Sequence, residues 1–188
     1  ELTRVDYAVN AALMLAHVAG RMGDTVGLLV FADRVRSFVM PAHGAAQSER
    51  LLEELYALQA ELVEPDFRAA VSFLRAHARK RALICAFTDL VDTDISAPAI
   101  AYLSSLRPQH LPLVVTTIDE ELEAMAAAAP ERPLEAYEKA IASRTLEERS
   151  AALAHLRARG VWVCDARPED LTAAVVSSYL AIKRRGLL

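Results

Sequence analysis

Short apolar runs of strand length recur along this chain at Val26–Phe31, Ala82–Phe87, Leu111–Ile118 and Val161–Cys164. A run with little polar alternation keeps no face for water, so each is expected as a strand covered on both sides. The stretches between them carry helical periodicity. Strands alternating with helices imply right-handed crossovers and a parallel sheet flanked by helices. The expected fold class is therefore α/β, a doubly wound, mostly parallel sheet with helices on both faces. A length of 188 residues suits one domain better than two.

Local signals place the elements. Val5–Met22 reads as a helix, with Thr3 and Asp6 as a capping pair and Gly23 past its end. Its polar residues Asp6, Asn10, His17 and Arg21 form one narrow stripe, so most of its circumference is expected to be buried. Val26–Phe31 and Val35–Met40 flank a short turn at Ala32–Arg34 and suggest an antiparallel hairpin that Pro41 ends. Ser48 is placed to cap a helix whose Leu51, Leu52, Leu55 and Leu58 share a face. Further helices are expected over Asp66–Lys80, Ser96–Leu106, Glu120–Ala129, Leu134–Arg159 and Leu171–Arg185. The strand Leu111–Ile118 tolerates Pro112 only near its start. Only Glu1–Arg4 precede the first helix, too few for a central strand, so an upstream strand in a longer parent is expected.

Composition removes several function classes. A net charge of −4 argues against a nucleic-acid surface. The cluster Arg75, His77, Arg79, Lys80 and Arg81 is read as the cationic end of a helix. No apolar run is long enough to span a bilayer and no signal peptide is seen, so no membrane contact is expected of this segment, although a parent could be anchored. Cys85 and Cys164 sit inside apolar runs, away from any C-x-x-C pair. They are expected to be buried, reduced and without zinc, which suits a cytoplasmic location.

No dinucleotide or phosphate-loop glycine pattern, nucleophile elbow or H-E-x-x-H is present, and the five histidines are scattered. They are read as surface or interface side chains. Several strands instead run into aspartate, at Asp33, Asp89, Asp119 and Asp165. Carboxylates gathered at strand ends would suit Mg²⁺. The plainer reading is that aspartate caps helices and forms turns there.

The segment Ala82-Leu83-Ile84-Cys85-Ala86-Phe87-Thr88-Asp89-Leu90 resembles the fourth strand of von Willebrand factor A-like domains, whose terminal Asp helps to bind a metal. Gly23–Phe31, Val35–Phe38, Asp66–Ala70, Gly160–Val163 and Tyr179–Gly186 resemble successive blocks of the same family, so the likeness spans nearly all of residues 1–188. The set is most similar to the uncharacterised bacterial branch whose members accompany MoxR-type AAA+ ATPases. The resemblance implies one von Willebrand factor A-like domain with a protein-interaction role, as adaptor or substrate-recognition partner of such an ATPase. It also implies the strand order 3-2-1-4-5-6, with the family's first strand between Val26–Phe31 and Ala82–Phe87.

That family's metal-ion-dependent adhesion site draws on three loops. Its Asp-x-Ser-x-Ser run is not in the sequence, Pro65 stands where a Thr is expected, and Asp89 matches the third loop. One ligand of several does not hold Mg²⁺ tightly, so tight binding is not expected of this segment, although an intact parent could hold the ion. An incomplete site is expected, with a partner-binding rim of Asp33, Glu64, Asp66, Thr88 and Asp89 and with Asp89 near Asp66 or Glu64. No enzymatic activity is expected. The rival is a Mg²⁺-dependent, phosphatase-like hydrolase using the acidic rim, suggested by Asp92-Thr93-Asp94.

Overall fold

A computed structural model describes residues 2–58, 63–90 and 96–188. In chain order the elements are α1 (Arg4–Arg21), β1 (Val26–Phe31), β2 (Val35–Ala42), α2 (Ala45–Tyr56), α3 (Phe67–His77), β3 (Leu83–Phe87), α4 (Ala97–Ser104), β4 (Leu111–Thr117), α5 (Glu120–Ala127), α6 (Pro133–Ala158), β5 (Trp162–Ala166) and α7 (Leu171–Arg184). They form two compact units. The first comprises Glu1–Ala82 with Pro168–Leu188, and the second Leu83–Arg167.

In the first unit, α1 opens with the expected capping box. The Asp6 amide donates to Thr3 Oγ1 at 3.2 Å, and the Thr3 amide to Asp6 Oδ2 at 2.7 Å. The Thr3 hydroxyl and amide hold the Asp6 carboxyl below its ordinary value. The helix packs on α7 and α2. Beyond its first turn the exposed residues Asn10, Met14, His17, Gly20 and Arg21 fall along one stripe, and the rest of the circumference is half-buried or, at Ala11 and Ala19, buried. Asn10, His17 and Arg21 lie on the expected polar stripe, which Met14 also joins, although much of the remaining surface is half-buried and not fully buried.

β1 and β2 pair antiparallel with register shifts at Val26/Leu28 and Val30/Phe31. Pro41 does not end β2, which runs on to Ala42. Gly27 makes this possible, because a Cβ there would lie 2.8 Å from the Val39 carbonyl oxygen and 2.9 Å from the Pro41 ring. Buried Gln47 fastens the same end, its Nε2 donating to the carbonyls of Val26 at 2.6 Å and Met40 at 2.9 Å. α2 begins after Gly44, whose φ of 93° suits a residue without Cβ, and Ser48 lies inside the first turn rather than at the cap. Leu51 and Leu55 point inward, but Leu52 is 51% exposed and the helix stops before Leu58. α3 begins at its cap Asp66 and ends three residues before Lys80, at His77. Its Phe73 meets Phe38 edge-on at 5.1 Å, and Phe67 meets Phe31 at 5.3 Å, holding helix to hairpin.

The second unit holds a three-stranded parallel sheet in the order β3-β4-β5. Leu83 is opposite Leu111 and Phe87 opposite Val115, while Leu113 is opposite Trp162 and Thr117 opposite Ala166. All seven residues of β4 are buried, which explains its nearly unbroken apolar run, and Pro112 is accommodated at its second position. α4 carries the chain from β3 to β4, and α5 with α6 carries it from β4 to β5. Ile100, Leu103, Leu106 and Leu156 complete the core around the sheet.

The parallel sheet is smaller than a doubly wound reading implies, since β1 and β2 form a two-stranded sheet of their own. Among the described residues β1 is laddered only to β2, and β3 only to β4. β5 lies later than expected, over Trp162–Ala166, so Asp165 stands inside the strand. No helix among the described residues is long and apolar enough to cross a membrane.

Replacing the Gln47 amide should expose its role in the hairpin. Gln47→Leu leaves the Val26 and Met40 carbonyls without that donor and should cost about 1–3 kcal/mol in urea unfolding. An unchanged midpoint would show that water replaces the amide at no cost.

Candidate functional site

The rim residues expected from the sequence divide between the two units. In the first, Asp33 sits exposed in the β1–β2 turn and pairs with Arg36 at 2.8 Å. The Asp66 amide donates to the Ala32 carbonyl at 2.8 Å, bringing the loop before α3 onto that turn. Asp66 itself caps α3, accepting the Ala69 amide at 2.9 Å, and Glu64 is exposed two residues earlier. In the second unit, the Thr88 amide extends the ladder by donating to the Val115 carbonyl at 3.0 Å. Asp89 follows, exposed at the carboxyl end of β3.

The other strand-end aspartates have structural work. Asp119 caps α5, accepting the Leu122 amide at 3.1 Å. Asp165 takes a two-pronged ion pair from Arg149 of α6, at 2.7 and 3.1 Å, with both side chains less than a fifth exposed. Arg149 also donates to the Thr117 carbonyl at 2.9 Å, which ties α6 to the ends of β4 and β5. Among the described residues, neither unit contains a group of three or more His, Cys, Asp or Glu that could hold a metal ion. Asp92-Thr93-Asp94, the basis of the hydrolase reading, lies outside the described residues.

Other sequence expectations can be placed. Arg75 and His77 occupy the last turn of α3, where cations complement the helix carbonyls. His77 stacks on Phe73 at 4.0 Å. His17, His43, His77 and His155 are exposed, but His110 is 1% exposed and so is not the surface residue expected. Both cysteines are free thiols. Cys164 is buried, whereas Cys85 is half-buried on β3, which among the described residues is laddered on one side only. Burial, with Cys164 nearby, pushes the Cys85 thiol up to about 12, far from a reactive thiolate.

One network was missed entirely. Lys183 of α7 pairs with Asp24 at 2.7 Å and donates to the Met22 carbonyl at 3.1 Å, and the Tyr179 hydroxyl donates to the other Asp24 oxygen. Tyr179 and Lys183 stand four residues apart on one helix face, which was the available signal. Burial and Asp24 push the Tyr179 hydroxyl above its ordinary value, so it serves as a donor and not as a base. Burial of Asp24 raises its pKa, but the hydrogen bonds from Lys183 and Tyr179 outweigh this and hold it low. The Asp24 hydrogen bond is the largest influence holding Lys183 high. The network latches α7 to the turn between α1 and β1.

A family model described as "Protein of unknown function DUF58" matches residues 1–130. The chain belongs to the DUF58 family. The matched stretch runs from α1 through α5, and so takes in Asp33, Glu64, Asp66, Thr88 and Asp89 of this DUF58 chain. No curated protein and no solved structure matches it.

Two measurements check these networks. The Asp24 carboxyl is held low in the fold, so its contribution is present above about pH 4, its unfolded value, and is lost as pH falls through the lower folded value. Asp24→Asn should therefore destabilise the DUF58 chain by a constant amount from about pH 5 to 8, the difference shrinking under acid. A pH-independent difference would contradict an ionised Asp24. Arg149→Met leaves Asp165 without its guanidinium and should cost about 2–3 kcal/mol. A cost under about 0.5 kcal/mol would class the pair with exposed ones.

Proposed function

We propose that this chain is a protein-interaction module of von Willebrand factor A-like type, acting as adaptor or substrate-recognition partner of a MoxR-type AAA+ ATPase. The observation that carries the reading is β3. It lies in a parallel sheet, ends directly in Thr88-Asp89, and is laddered on one side only among the described residues. The unladdered side is where the family order puts the strand that carries the Asp-x-Ser-x-Ser run. Membership of DUF58 supports the same reading, as does the resemblance of the Asp66 and Gly160 blocks. The metal site is proposed as incomplete, because Asp89 is its one matched ligand and Asp66 is engaged as a helix cap. Asp33, Glu64 and Asp66 of the first unit, and Thr88 and Asp89 of the second, are each proposed to contact the partner, in the cytoplasm.

Capture and catalysis separate this reading from its rival. The immobilised chain should retain a purified MoxR-type ATPase saturably, and Asp89→Ala should lower retention severalfold. Calorimetric titration with Mg²⁺ should show nothing tighter than about millimolar. Turnover of p-nitrophenyl phosphate that needs Mg²⁺ and vanishes in Asp89→Asn would establish a hydrolase instead.

A further inference from the structure

We infer that the α5–α6 hairpin is a docking surface for a basic amphipathic helix of a partner protein. α6 is 26 residues long, yet its buried residues are Ala142, Ala152, Leu153 and Leu156, and α5 buries none. The first turns of α6 therefore lie outside the core. On them Leu134 and Tyr137 are each 65% exposed and Ile141 48%. Spacings of three and four residues put the three on one helix face, a stripe and not a scatter. Single exposed apolar residues are ordinary, whereas an aligned set of large ones marks an interaction surface. The stripe lies beyond the residues that the family model matches.

Charge selects the occupant. From Asp119 to Ile141 seven carboxylates stand against two cations, a balance of −5 where the whole chain carries −4. Several of these have local duties: Asp119 caps α5, Glu120 pairs with Arg167, and Glu135 pairs with Arg132. Glu121, Glu123, Glu131 and Glu138 are exposed and enter no ion pair among the described residues. Glu138 lies one turn from both Leu134 and Ile141. An apolar stripe with an acidic border fits a helix that offers apolar residues at matching intervals and lysine or arginine beside them. A second copy of this chain would bring carboxylates against carboxylates, and an anionic membrane would do the same. The hairpin is also fixed before binding. Lys139 Nζ donates to the Ala128 carbonyl at 2.8 Å, and Glu135 accepts the Glu131 and Arg132 amides at 2.8 and 3.2 Å. Little ordering is then left to oppose association.

The inference rests on the interaction-module reading but not on which protein is the partner. The test uses the full chain and a dye-labelled synthetic helix of about 18 residues, leucine on one face and lysine elsewhere, followed by anisotropy. A companion peptide carries glutamate for lysine. The lysine peptide should bind saturably and more weakly as salt rises, and the glutamate peptide should not bind. Leu134→Ser with Tyr137→Ser should weaken binding about tenfold or more. Glu123→Lys with Glu138→Lys should do likewise, and these surface changes should leave the melting temperature unaltered. Wild-type affinity in either variant, equal binding of the two peptides, or a dimer that the serine variant dissociates would overturn the proposal. Absent peptide binding while ATPase capture persists would sink the hairpin site alone. Peptide binding without ATPase capture would support the hairpin and remove the ATPase reading.

Discussion

Seven consecutive residues of β4 lie out of water, and their backbone N–H and C=O groups need partners that solvent does not provide. A dry, unpaired backbone group costs about 1–3 kcal/mol, so ladders on both sides are a condition for burying this strand. β3 and β5 meet that condition as parallel neighbours. Parallel pairing then dictates the connections, because the chain must return from one end of the sheet to the other after each strand. α4 makes the first return and the α5–α6 hairpin the second. Arg149 fastens the second return to the strand ends through Asp165 and Thr117.

Much of this was legible because it depends on periodicity. The β4 run, the long helix before Gly160 and the Thr3–Asp6 cap are local patterns with local causes. What failed depends on who the neighbours are. Pro41 reads as a strand terminator until Gly27, fourteen residues earlier, proves to leave room for its ring. Ser48 has the right chemistry for a cap, yet the glycine four residues before it takes the turn. Burial of His110 follows from its place at the mouth of β4, which its own residue type does not reveal.

The aspartates show the same division. Their positions at strand ends were plain in the sequence, but the sequence does not say which carboxylates are already engaged. Asp66 and Asp119 accept helix amides, Asp165 takes a guanidinium, and Asp33 pairs with its neighbour Arg36. A carboxylate so engaged is a poorer metal ligand, since leaving its partner adds to the work of binding. In the Asp24 network the four-residue spacing of Tyr179 and Lys183 is legible, but the carboxylate they hold lies 155 and 159 residues away, where no pattern along the chain points.

The 26-residue helix α6 lives under two regimes. Its rear half is held by volume, since Ala152, Leu153 and Leu156 have neighbours on every side that would register a methylene gained or lost. Its first two turns, ahead of buried Ala142, answer to no core. Substitutions there change the surface that the hairpin offers without disturbing the sheet behind it. Selection could therefore retune recognition at one end of this rod while the other end keeps the fold unchanged.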